Sequence, residues 1–401
     1  VIGLALLAAL LAPNPATLEV GAGAGGGLVA NTPILQVRPW LGFSERDFAM
    51  SWQVPIRLDL KRGKLRERDW DELGDYGRLL NLVRYAEFVR AGSLSGITFG
   101  NGSIVRRYNN AVDDDHHRLG VYLHLDPKRT GWPVGAQIMV DQLLDAPVIA
   151  ARSWATLVRG HIEAGATLAA DTLAPVTLDG TLDKTGRPNG TTQVLSALGF
   201  DGAWVPFIGH PWAIRLQGDL NIVDANPGVH LGSEFSVQLD RDWAFALLVE
   251  AMYVEAGYDW AVFDTGWLVD RWRWPTRPKR DDEPTWGGRA RFSVDLRGAL
   301  RAGVELADAG LQNRSDLSAW FTLPTDVLQL RAFWRHRGGD KRTDLIDPSQ
   351  AMVALSATVP ISKMWWVGAW ASRMWRVPGE SEPRYRPFTE FMLTFEAATV
   401  P

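Results

Sequence analysis

The sequence predicts an all-β chain, a transmembrane antiparallel β-barrel of about 18 strands within a range of roughly 16 to 20. Three observations predict it. Polar and apolar residues alternate with period two along most of the 401 residues, the signature of strands with one apolar and one polar face. The connections between these strands alternate between short and longer. Tryptophan and tyrosine gather near the strand ends, as at Trp40, Trp52, Trp132, Trp212, Trp243, Trp286 and the pair Trp365 and Trp366, where a lipid–water boundary would place them.

Composition narrows the classes. Lys+Arg number 42 against Asp+Glu 46, giving a net charge of −4, without the basic footprint of a nucleic-acid binder. There are no cysteines, which excludes a disulfide framework and a Cys-ligated zinc site. The chain carries 19 tryptophans and 39 glycines, an unusual pairing for a cytosolic enzyme.

Taken in order, the chain opens on "VIGLALLAALLA", too short to cross a bilayer but suited to the apolar region of a secretory signal. Residues 1–16 are therefore expected to be the remnant of a signal peptide, cut after Ala12 or Ala16. Pro13 disfavours the first cut and Asn14 weakens the second. Residues 17–401 are expected to form one barrel domain, since no later stretch reaches the ~18 apolar residues of a membrane helix.

"WQVPIRLDLK" sets Trp52, Val54, Ile56, Leu58 and Leu60 against Gln53, Arg57, Asp59 and Lys61. Residues 61–78 form a charged loop with some helical character. Residues 96–105 read as a strand rising into an outer loop at 106–117. In "AIRLQGDLNIV", Ile214, Leu216, Leu220 and Ile222 oppose Arg215, Gln217, Asp219 and Asn221. In "RFSVDLRGALRAGVEL", Phe292, Val294, Leu296, Leu300, Val304 and Leu306 oppose Asp295, Arg297, Arg301 and Glu305. Such strands run about 10 to 13 residues, the length of a tilted bilayer span. The last, "PFTEFMLTFEAATVP", puts Phe391, Leu393 and Phe395 on one face.

Short turns are expected at 44–47, 91–92, 127–132, 159–160, 206–211, 240–242, 324–326 and 360–362. Longer or charge-rich segments fall between them at 61–78, 106–117, 142–147, 172–193, 223–227, 336–350 and 377–386. Short periplasmic turns with longer outer loops mark an outer-membrane barrel, whereas a soluble sandwich has no reason to sort its loops. Residues 243–285 do not parse: the alternation runs through "AFALLVEAMYVEAGYDWAVFDTGWLVDRW" without a clear turn. On these features the chain resembles the porin-like outer-membrane β-barrels of Gram-negative bacteria. The resemblance covers residues 17–397 and is one of architecture. It implies residence in the outer membrane, contact with lipid and lipopolysaccharide, and insertion by the barrel assembly machinery. Such barrels commonly end on an aromatic residue, whereas here Phe395 is followed by "EAATVP".

Candidate chemistry is sparse. The run Asp113, Asp114, Asp115, His116, His117 could ligate a cation, but it has no EF-hand spacing and reads as a solvated loop tip. "GITFGNGS" is followed by no Gly-Lys-Ser/Thr, so it is no phosphate loop. No Gly-x-Ser-x-Gly elbow is present, and neither a cofactor nor an enzymatic activity is expected. The sharper signal is charge on the inward parity. Arg57, Asp59, Arg106, Arg107, Arg215, Asp219, Glu234, Asp295, Arg297, Arg301, Glu305, Arg331 and Arg335 are expected to line a lumen and set its selectivity. Gly96, Gly100 and Gly102 share a parity, which would leave a bare inner wall on which loop 61–78 docks.

The expected function is a passive, charge-lined channel for small hydrophilic solutes. The alternatives are a structural or export barrel that works with periplasmic partners in polysaccharide or protein export, and a barrel-embedded lipid hydrolase. A soluble all-β protein is the alternative at the level of the fold. Oligomeric state is left open.

Overall fold

A computed structural model describes residues 16–29, 32–70, 73–111, 118–143, 147–158, 161–177, 190–209, 211–239, 242–271, 283–297, 299–308, 315–339, 345–346, 351–376 and 386–399. The expected signal remnant lies outside them except for Ala16, as does the Asp113–His117 run.

The strands are, in order, β1 (Thr17–Val29), β2 (Thr32–Glu45), β3 (Phe48–Gln53), β4 (Ile56–Asp59), β5 (Lys64–Leu65), β6 (Leu80–Tyr85), β7 (Val89–Gly92), β8 (Val105–Arg106), β9 (Gly120–Leu125), β10 (Val134–Val140), β11 (Val148–Val158) and β12 (Ile162–Pro175). The second half holds β13 (Thr192–Gly209), β14 (Trp212–Val223), β15 (Asn226–Leu239), β16 (Trp243–Val254), β17 (Phe263–Asp264), β18 (Thr285–Leu296), β19 (Leu300–Asp308), β20 (Ser315–Pro324), β21 (Gln329–Gly339), β22 (Ala351–Pro360), β23 (Trp365–Arg376) and β24 (Arg386–Ala398).

Among the described residues, 22 of these strands form one sheet. It closes on itself where β1 pairs antiparallel with β24, from Gly21 opposite Ala398 to Leu28 opposite Phe391. Twenty strands make the ring. β4 continues β3 beyond Pro55, in unbroken register on β2, and β5 pairs with β4. The sheet thus has slightly more strands than the 16 to 20 expected, because β4 and β5 extend one corner of the wall. Closure pairs the ring strands on both sides, the condition for a sheet in hydrocarbon. No helix of the described residues is long and apolar enough to cross a membrane.

The faces are inverted relative to a soluble protein. On β14, Leu216, Leu220 and Ile222 are 39%, 49% and 41% exposed, while Gln217, Asp219 and Asn221 are 8%, 4% and 1% exposed. The apolar parity of the wall points out and the polar parity points in. Trp212, Trp243, Trp286 and Trp365 lie exposed on the outward parity near strand ends, as interfacial aromatics do. Trp40 and Trp366 instead pair with Gly21 and Glu396 on the inward parity.

Connections at the rim holding both described chain ends are short throughout. The expected turn at 91–92 is an exception to the sequence reading. The chain turns at 86–88, where the Phe88 amide donates to the Tyr85 carbonyl at 3.0 Å, and Gly92 begins a long excursion at the opposite rim. Short turns at one rim and longer connections at the other are the asymmetry expected of a membrane barrel.

Candidate functional site

Two segments leave the wall at the long-loop rim and turn into the barrel: residues 93–111 after β7 and 255–271 after β16. They hold each other through a short parallel bridge between β8 and β17. The Ala261 amide donates to the Ser103 carbonyl at 2.7 Å, and the Phe263 amide to Ile104 at 3.1 Å. Around this bridge Leu94, Phe99, Ile104, Tyr258, Phe263 and Trp267 pack on wall residues Met139, Leu195, Val223, Met252 and Val254, all buried. Each large side chain so buried contributes roughly 1.5–3 kcal/mol. Part of the lumen therefore holds a plug with an apolar core of its own.

This corrects the reading of 96–117. Residues 97–108 form an inward hairpin, closed by the Ile97–Tyr108 bridge, instead of a wall strand. Its tip needs glycine: Gly100 and Gly102 have φ of 56° and 80°, left-handed values that L side chains rarely adopt. Gly96, Gly100 and Gly102 form no common wall face. Space at Gly100 is closed by the Asp201 carboxylate, while nothing lies against Gly96. Loop 61–78 docks elsewhere, on the inner side of β4. There Asp69 accepts from Arg57 at 3.1 Å, Arg66 at 2.6 Å and Arg78 at 3.2 Å.

Polar clamps fasten the plug to the wall. Asn101 at the hairpin tip donates to Asp219 at 3.2 Å and accepts from Arg215 at 2.9 Å. Arg106 pairs with Glu305, and Asp264 with Arg335. Tyr108 donates to Asp141 at 3.1 Å, and Trp267 to Asp171 at 2.8 Å. Glu250 on β16 accepts from Arg289 at 2.7 Å and Gln217 at 3.1 Å, and it meets His230 Nδ1 at 3.1 Å. The far side of that imidazole contacts the Tyr258 hydroxyl of the plug at 2.8 Å. Burial pushes the Arg106 guanidinium well below its ordinary pKa, with the charge of Arg289 adding to the effect. Burial, then the Asp141 carboxylate, pushes Tyr108 up, and burial does the same to Tyr258.

The candidate charges thus divide into two sets. Arg57, Asp59, Arg106, Asp219, Glu305 and Arg335 are buried, and all of them bond between the wall and the folded-in segments, Asp59 through the Lys61 and Arg62 amides. Arg107, Arg215, Glu234, Asp295, Arg301 and Arg331 keep partial or full exposure. Arg297 lies exposed in the β18–β19 turn, its amide donating to Asp242 at 2.9 Å. The sequence reading missed Asn101, His230, Glu250, Arg289 and Trp320, and left Arg291 out of the lumen set although it lies on the charged parity of its strand. Arg289 was findable, since it shares the parity of Arg291 and Asp295 on one strand. Glu250 carries only the signal of a lone polar residue on an otherwise apolar face, whereas His230 shares the polar parity of Glu234 and Ser236 on β15.

Below the plug, toward the short-turn rim, lies a cavity of about 660 Å3 lined by Arg107, Arg291, Asp295, Arg301 and Trp320 together with Ser236, Gln238 and Ser293. Arg291 pairs with Glu234 at 2.5 Å and Arg301 with Asp295 at 3.2 Å. Trp320 lies over Gly303 of the neighbouring strand, where a Cβ would come within 2.2 Å of the ring. The Arg107 guanidinium stands over Trp320, 3.7 Å from the ring centroid. Its burial, and then the charge of Arg291, lower its pKa to about 10.

The plug packs mainly on the β10 to β16 side of the lumen and reaches β19, β21 and β23. Inward residues of β10 to β16, such as Met139, Ala169, Leu195 and Val223, are buried under it. Across the barrel, Gly25, Arg38, Ser356, Thr358 and Thr394 on β1, β2, β22 and β24 are half-exposed. That opposite wall is smooth: Gly21, Gly23, Gly25 and Gly27 occupy the inward parity of β1. No side-chain cluster with metal-ligand composition occurs among the described residues.

A closed sheet with an apolar outer face, aromatic rims and a polar interior defines a membrane-spanning barrel. The chain is a membrane-spanning β-barrel of porin-like architecture. No protein-family model matches it, and no curated protein does. Among solved structures it is similar to OccAB3 of Acinetobacter baumannii, with 9% identity, TM-score 0.37, and 96% of this chain and 98% of that one covered. It is similar also to the outer membrane protein opdK of Pseudomonas aeruginosa, with 9% identity, TM-score 0.39 and coverages of 96% and 98%. For OmpT of Vibrio cholerae the values are 8%, 0.29, 96% and 99%.

Proposed function

We propose that the barrel is a passive channel for small hydrophilic solutes, with its path running beside the plug instead of along the barrel axis. The observation that carries this reading is the one-sided filling of the lumen. Toward the long-loop rim the inward face of β10 to β16 is buried, whereas β22, β24, β1 and β2 keep half-exposed glycine, serine, threonine and charge at mid-wall. A wall of small and hydroxyl residues leaves room for water. The partly exposed Arg301 and Arg331 would bias which solutes pass.

The chain contains no cysteine, so single cysteines report cleanly. Thr358→Cys and Thr394→Cys are expected to react with a charged thiol reagent in planar bilayers and to lower the conductance step. Ala169→Cys and Ala197→Cys, covered by the plug, are expected to stay silent. A second reading, a closed scaffold, is favoured by the apolar core inside the lumen. Folded protein that gives no conductance steps at any voltage would select it over the channel.

A further inference from the structure

We propose that the cavity beneath the plug is a binding site for a small organic oxyanion, whose charged end seats on Arg107 between Arg291 and Arg301. The arginines around Arg107 have carboxylate partners: Arg291 with Glu234, Arg301 with Asp295, Arg106 with Glu305 and Arg335 with Asp264. Among the described residues Arg107 has none. A guanidinium largely withdrawn from water without a counter-charge is costly, and the solute would supply that charge.

Arg107 is also held in place. Its φ of 47° is left-handed, a strained conformation for a non-glycine residue. Its amide donates to Thr98 Oγ1 at 3.0 Å, and its carbonyl accepts from Thr265 Oγ1 at 2.7 Å. The guanidinium rests on Trp320, which in turn rests on Gly303. The contact with the ring restrains the guanidinium, whose planar fork matches the two oxygens of a carboxylate or a phosphate ester. The cavity is of a size usual for small-molecule sites. It offers Ser236, Gln238 and Ser293 for the polar groups of the ligand, and Ala213 and Ala246 for its apolar body.

The proposal gives the channel reading a solute class and rests on it only for how the solute arrives. Binding is read without conductance, so either can fail alone. The test is calorimetric titration of the folded, detergent-solubilised chain with benzoate and with phenyl phosphate, using benzyl alcohol as the neutral comparator. Saturable binding of at least one anion, at least tenfold tighter than the alcohol, is expected. Arg107→Gln should weaken it at least tenfold, and Arg107→Lys, which keeps the charge but loses the planar fork, by less. Arg84→Gln, at an exposed arginine of β6 away from the cavity, should leave it unchanged. If Arg107→Gln does not fold, Trp320→Leu removes the stack and is expected to weaken binding severalfold. Failure of both anions to bind, binding of the alcohol as tight as the anions, or equal loss in the Arg107 and Arg84 variants would overturn the site. So would full binding by Trp320→Leu.

Discussion

Replacing Glu250 by Gln tests whether the plug and the wall form one cooperative structure. Glu250 and Arg289 are each 1% exposed and meet at 2.7 Å. Removing one partner of such a pair typically costs 3–5 kcal/mol, because the other charge stays buried alone. Glutamine still offers one acceptor to Gln217 or Arg289, so the lower end applies, about 3 kcal/mol. At 1.4 kcal/mol per decade, the unfolding equilibrium should rise about 100-fold. The assay is urea unfolding in lipid vesicles followed by emission of the 19 tryptophans. Arg289→Met removes the stranded cation, so the double variant should recover part of the loss, with a coupling of about 2 kcal/mol between the two sites. Tyr258 contacts His230, which contacts Glu250, so a Cys placed at Ala261 should become more reactive in Glu250→Gln. A loss below about 1 kcal/mol with additive single variants would refute the claim that this pair is desolvated and shared.

Gly27→Ala should block or strongly impair barrel assembly, since its Cβ would lie 1.8 Å from the Phe391 carbonyl oxygen, whereas Gly26→Ala has 3.6 Å to its nearest neighbour and should fold normally. Heat-modifiable gel mobility distinguishes the two. Tyr108 and Tyr258 have pKa values raised by burial, so in the folded state they should stay protonated while exposed tyrosines ionise in an absorbance titration. Their stabilising contribution is complete below the unfolded tyrosine value of about 10 and is lost as pH rises from there through the folded values. Asp69→Asn removes the acceptor shared by Arg57, Arg66 and Arg78; it is expected to cost about 3 kcal/mol or more and to raise protease cleavage within residues 61–78.

Period two was enough to read the barrel, the parity of its lipid face and most of its short turns, because one apolar face per strand is what hydrocarbon demands. The plug was not legible for the same reason. A hairpin such as 97–108 carries alternation too, with Ile97, Phe99 and Val105 on one parity, and nothing local says whether that face meets lipid or a neighbouring loop. The glycine-rich inner wall was inferred at 96–102 but stands at Gly21 to Gly27 on β1. Charge was misjudged in kind: Arg57 and Arg335 do point inward, yet they pair with the folded-in segments, and Arg106 sits on such a segment and pairs with Glu305 of the wall. Pairing across 12 to some 200 residues of chain leaves no local mark.

The unparsed stretch 243–285 nevertheless carried the plug's signature. Apart from Glu250, β16 is apolar on both parities in its outer half: Leu247, Val249 and Tyr253 face out at 45%, 56% and 37% exposure, while Leu248, Met252 and Val254 face in and are at most 1% exposed. A strand lining water cannot afford that inner face, so loss of alternation toward the long-loop end means that protein covers it. Val223 on β14 and Leu195 on β13 repeat the pattern at the same end. The inner face regains polarity toward the short-turn rim, at Arg215 on β14, Glu234 on β15 and Asp295 on β18, where the cavity opens. Deleting residues 97–108 should therefore leave a folded wall with wet apolar patches at Leu195, Val223 and Met252. That variant should bind an apolar dye that the intact barrel excludes. If it binds no more dye than the parent, the inner apolar residues are not there to hold the plug.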